Sequence, residues 1–68
     1  MKFKRLVVIL DGDCSEFTLA GTPIENSVNV YYNGIAQTPE QDWRRDGRKI
    51  FLTDPFHGGT VQITYCVQ

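Results

Sequence analysis

The segment from Val28 to Gly34 constrains the fold more than any other part of the chain. Val28, Val30 and Tyr32 alternate with Asn29 and Tyr31, and Asn33-Gly34 follows at once. Alternation of this kind places one set of side chains on one face of a strand. Asn-Gly suits the two central residues of a type I′ turn, where positive φ is required and the turn twist matches that of the strands. A β-hairpin is therefore expected here, and the rest of the chain agrees. Seventeen residues are Val, Ile or Thr, against two alanines and four leucines, a usage that favours strands over helices. No long window carries apolar residues at helical spacing without a turn dipeptide breaking it. An all-β fold follows.

Further strands can be placed by the same reasoning. The first is expected at about Phe3 to Leu10, with its continuous apolar run, Leu6 to Leu10, buried on both faces. Asp11-Gly12-Asp13 reads as the turn that ends it. A second strand, Glu16 to Ala20, puts Phe17 and Leu19 on one face, and Gly21-Thr22-Pro23 closes it. Ile24 to Ser27 reads as a connection, since Pro23 argues against a central strand there. After the Asn33-Gly34 turn the returning strand is Ile35 to Thr38. A second hairpin is expected from Trp43-Arg44-Arg45, a turn at Asp46-Gly47, and Arg48 to Leu52. Thr53 to Gly59 reads as a loop. The last strand, Thr60 to Val67, puts Val61, Ile63, Tyr65 and Val67 on one face. The pattern predicts a small antiparallel β-sandwich or partly open barrel of six to seven short strands with hairpin connections.

Length and charge narrow the function. The chain has 68 residues, which makes residues 1–68 a single β domain. An apolar fraction of 41% is too high for a disordered chain. No apolar run is long enough to span a membrane. Lys2, Lys4 and Arg5 precede an apolar run, but Leu6 to Leu10 is shorter than the roughly 7 residues a secretory leader needs. A net charge of −1 argues against a nucleic-acid binder. A domain of this size buries a small core, so an added staple is expected. Cys14 and Cys66 lack metal-ligand spacing, and His57 is the lone histidine. Self-association or docking on a larger body is then the favoured staple.

Catalytic chemistry finds little support. His57 sits in a Pro-Phe-His-Gly-Gly run, where an exposed loop residue is the simpler reading than a base or ligand. Ser15 and Ser27 lack the context of a nucleophile elbow. Cys14 follows Asp11 and Asp13, whose charges disfavour a thiolate. Asp11-Gly12-Asp13 lacks the further oxygen ligands of a calcium loop, and Gly58-Gly59 is followed by neither the Lys-Ser/Thr pair nor the helix of a phosphate cradle. Arg44, Arg45, Arg48 and Lys49 bracket a turn beside Trp43. They suit a phosphate, a sialylated sugar or an acidic protein patch, or simply a solvated hairpin that blunts a sheet edge. Alternation places Arg44 away from Trp43 and Arg45. Trp43 itself reads as core.

The order of these pieces resembles a known family. Glu16-Phe17-Thr18-Leu19 with Pro23, Val28 to Gly34, Thr38-Pro39, Asp42-Trp43, Ile50 to Thr53, Pro55, Gly59 and Val61 to Tyr65 together are similar to small β-modules of tailed-bacteriophage virion proteins. The resemblance covers about Glu16 to Tyr65, with Trp43 where a Tyr is usual. It implies a virion structural protein that acts by protein–protein binding: a capsid decoration (cement) subunit or a small head or tail component. It implies no catalytic residues and no cofactor, so no enzyme activity is expected. The partners would be the major capsid or other virion proteins, and self-association, a trimer being one form, would supply buried area. Neither nucleic acid nor membrane is an expected partner, and the location would be the virion, assembled in the host cytoplasm. Loops and edges would carry the contacts, with Arg44, Arg45, Arg48, Phe56 and His57 as candidate partner-binding residues. The alternative is a carbohydrate-binding adhesion module of a tail fibre, with Trp43, Tyr31 and Tyr32 as stacking groups. Assembly in a reducing cytosol would leave Cys14 and Cys66 as free thiols.

Overall fold

The computed structural model describes residues 1–68, and every regular element in it is a β-strand. The strands are β1 (Lys2–Thr18), β2 (Asn29–Tyr32), β3 (Ile35–Ala36), β4 (Trp43–Asp46) and β5 (Lys49–Val67). They form one antiparallel sheet in the order β1-β5-β2-β3, with β4 also paired to β5. The count is five rather than six or seven because two pairs of expected strands are each one continuous element. Asp11-Gly12-Asp13 does not end the first strand. Gly12 takes φ +117° there, and the register slips between Leu10 and Asp13, so the triplet is a β-bulge and the chain continues into Glu16–Thr18.

Strand β5 behaves in the same way. The stretch expected as a loop, Thr53 to Gly59, lies inside it. Cys14 pairs with Phe56 and Glu16 with Phe51, so Ser15 alone faces four residues of β5. Pro55 falls in this irregular stretch, where a missing backbone N–H costs no ladder bond. Gly58 and Gly59 follow at φ +66° and +85°.

These bulges have a large geometric effect. A straight strand of 19 residues spans about 60 Å at about 3.3 Å per residue. The longest dimension of the molecule is only 33 Å. Strands β1 and β5 must therefore bend sharply, and the sheet curls over a shared core. One half contributes Phe17, Trp43, Ile50, Leu52 and Phe56, and the other contributes Val30, Val61, Ile63 and Tyr65, all in one buried cluster. The segment after β1 lies across the core face. Its Leu19 N–H donates to Arg48 O (2.7 Å), its Ala20 N–H to Tyr65 Oη (3.0 Å), and its Ile24 N–H to Cys66 O (2.7 Å). Leu19 and Pro23 are buried beneath it.

The hairpins follow the turn chemistry with one shift. Asn33 and Gly34 have φ of 50° and 83°, and Tyr32 pairs with Ile35, as a type I′ turn requires. The returning strand is only Ile35–Ala36. In the second hairpin Asp46 pairs with Lys49, so the turn residues are Gly47-Arg48 rather than Asp46-Gly47. Gly47, at φ 62°, occupies the first central position, where a type II′ turn calls for glycine.

Candidate interaction surface

Strand β1 is an edge of the sheet, and its first half is apolar on both faces. Leu6, Val8 and Leu10 point inward opposite Ile63, Val61 and Gly59, and they are half-buried at the margin of the core. Phe3, Val7 and Ile9 point outward opposite Cys66, Gln62 and Thr60. Burial on both faces was the expectation for Leu6 to Leu10, and the outer face contradicts it. Phe3, Val7 and Ile9 are 63%, 54% and 81% exposed. Solvation of a single surface hydrophobe is ordinary, whereas an apolar row beside an unpaired backbone edge is a candidate contact surface.

The outer face continues across the sheet. Gln62 of β5 stands between Val7 of β1 and Tyr31 of β2, while Thr64 stands between Arg5 and Asn29. Phe3, Tyr31, Gly34, Thr60, Gln62 and Thr64 line an open groove of about 470 Å³ on this face. The surface therefore combines apolar side chains at the β1 edge with amide and hydroxyl side chains toward the middle. Such a mixture suits shape-matched contact with a protein. Sequence reasoning missed it because Leu6 to Leu10 reads alike for a central strand and an edge strand. The outward alternation of Phe3, Val7 and Ile9 is the signal, and it becomes informative only once β1 is known to be an edge.

The five residues expected to bind a partner do not form one patch. Arg44 and Arg45 lie on opposite faces of β4, since Arg44 pairs with Phe51 and Arg45 with the fully buried Ile50. The Arg44 guanidinium covers the Phe51 ring at 4.9 Å from its centroid, a cation–π arrangement. Arg45 is half-buried, and its Nη1 donates to Gly47 O at 2.6 Å. Arg48 is exposed in the turn. Beside them Lys49 and Glu16 lie 3.9 Å apart, so this end of the sheet carries mixed charge. Phe56 is buried, with its ring stacked on Tyr32 at 3.9 Å and 3°. Its core packing leaves it unable to present a surface. His57 is exposed, and its Nδ1 lies 2.7 Å from Asp13 Oδ1, which joins the bulged stretches of β1 and β5.

Two of the three rings suited to sugar stacking are also committed elsewhere. Trp43 is buried and its Nε1–H donates to Gln37 O at 3.4 Å. Tyr32 stacks on Phe56 while its hydroxyl donates toward His57 O (3.1 Å) and Gly58 O (2.8 Å). Tyr31 alone faces the groove. Cys14 and Cys66 are both free. They pair across the ladder with Phe56 and Phe3 respectively, far apart along β1 and beyond the reach of a disulfide. No group of three or more His, Cys, Asp or Glu side chains is placed to hold a metal ion. No protein-family model matches the chain, and a search of curated proteins finds no relative.

Proposed function

We propose that this chain is a structural binding module of a tailed-phage virion, a capsid decoration subunit or small head or tail component, working through its sheet surface. The observation that carries the binding reading is the β1 edge: an unpaired strand half with Phe3, Val7 and Ile9 open to solvent. A working surface of this kind adds a neighbour by backbone pairing and apolar contact. The virion assignment rests on the ordered resemblance from Glu16 to Tyr65. The curled sheet is consistent with a partly open barrel, in which bulges on two long strands replace the extra turns of a longer chain. The partners are coat or other virion subunits, and contacts between copies add the buried area that a 68-residue core lacks.

Mass spectrometry of purified particles of the encoding phage tests this reading. The chain is expected in many copies per particle, and substitution of Val7 and Ile9 by Lys is expected to strip it from them. Its absence from mature particles would refute the assignment.

A further inference from the structure

The sequence of the β1 edge is complementary to itself in one antiparallel register. Five apolar residues, Leu6 to Leu10, are flanked by Arg5 on one side and Asp11 on the other. The regular ladder stops just beyond, at the Gly12 bulge. In a twofold pair with its axis normal to the sheet, residue i of one strand faces residue 16 − i of the other when Val8 lies on the axis. Leu6 then faces Leu10, Val7 faces Ile9 and Val8 faces Val8. Arg5 faces Asp11 at both ends. Within Arg5–Asp11 every apolar residue meets an apolar one and each charge meets its opposite, and the bulge at Gly12 ends the ladder beyond that stretch.

Neighbouring registers lose this match. With Val7 on the axis, Arg5 faces Ile9 and Phe3 faces Asp11. With Ile9 on the axis, Val7 faces Asp11 and Leu6 faces Gly12. With Leu6 on the axis, Lys2 and Lys4 face Leu10 and Val8. Charges on an edge usually deter pairing. Here the basic residues Lys2, Lys4 and Arg5 sit at one end of the strand and Asp11 and Asp13 at the other, so they deter parallel pairing and admit the antiparallel one. Even residues face the core in both copies, so the half-buried Leu6, Val8 and Leu10 of each copy would meet their counterparts across the seam.

We infer that two copies of this chain join through Arg5–Asp11 of β1, as an antiparallel pair centred on Val8, to make one continuous ten-stranded sheet. The inference rests on the binding reading only in taking β1 as the working surface, and it names a second copy as the occupant. It favours a twofold dimer over the trimer raised by the small core. Cross-strand pairs of β-branched residues and of opposite charges supply specificity, and the pairing satisfies the free N–H and C=O groups of both edges.

Sedimentation equilibrium in buffer, from low micromolar to millimolar chain, tests it apart from any virion. The expected species are a monomer and a dimer of twice 7.8 kDa. Arg5 and Asp11 are exposed, so reversing either charge leaves the fold intact, as an unchanged Trp43 emission would show. Arg5→Asp alone, or Asp11→Arg alone, is expected to weaken the dimer roughly tenfold at low salt. Mixing the two single variants in equal amounts should restore it, because each strand then meets its opposite. The double variant should restore it as well. A monomer throughout the range, a trimer, or single reversals as tight as the parent would overturn the inference. Absence from virions with an intact dimer would instead sink the phage assignment alone.

Discussion

Gly59 stands where strand β5 passes the side chain of Asn33, and a side chain there would be strained and crowded. Its φ is +85°, and a Cβ would lie 2.6 Å from Asn33 Oδ1 and 3.0 Å from a Tyr32 ring carbon. That same Oδ1 accepts the Thr60 N–H at 2.8 Å, so the turn side chain is tied to the central strand. Gly59→Ala is expected to cost about 2 kcal/mol, from backbone strain and the displaced Asn33, read as a lower urea midpoint. Phe56 is a second such point, stacked on Tyr32 and tilted against Phe17 at 6.4 Å. Phe56→Ala should cost about 3–5 kcal/mol, a large share of the roughly 5–15 kcal/mol that stabilises an ordinary domain. The expected outcome is loss of a cooperative thermal transition near ambient temperature, with Phe56→Leu retaining one. Phe56 reads from the sequence as a loop residue because Pro55 and Gly58-Gly59 surround it. Its actual role depends on contacts with residues distant in sequence, which local punctuation does not encode.

At the level of elements, alternation revealed most of the core and punctuation misled about the ends of strands. Phe17 with Leu19, Val28 with Val30, and Val61 with Ile63 and Tyr65 share faces by alternation, Trp43 reads as core, and all eight are buried. Asn33-Gly34 also predicts its turn, since both residues need positive φ and both have it. Glycines at positive φ serve equally in turns and in bulges, however, and Gly12 and Gly59 lie within β1 and β5. That ambiguity merges strands in the fold that the sequence divides. The two faces of the sheet make a direct contrast. Ile9→Lys, on the solvent face, should change monomer stability by less than about 0.5 kcal/mol. Ile63→Lys, on the core face of the adjoining β5, should abolish folding, because it would bury a charge at a fully enclosed apolar position. Circular dichroism of the two variants at low concentration checks the assignment.

On the scale of the whole molecule, the curled sheet leaves the indole inside and an apolar edge outside. Trp43 should emit at short wavelength, with acrylamide quenching weak until unfolding. A red-shifted emission that responds to sugars would favour the adhesion reading instead. The arginines foreseen as a contact patch separate because β4 alternates Arg44 and Arg45 across the sheet, a consequence the spacing itself contains. The β1 surface is different: whether Leu6 to Leu10 is edge or centre depends on whether any strand besides β5 pairs with β1, and that is settled by the complete topology. The most direct measurement of how the chain binds is residue-resolved amide hydrogen exchange, compared between dilute monomer and assembled chain. Slow exchange should spread on assembly into alternate amides of Arg5–Asp11, with the Gly47-Arg48 turn unchanged. Protection that appeared instead around Arg44, Arg45 and Arg48, with the β1 edge equally open in both states, would contradict the account.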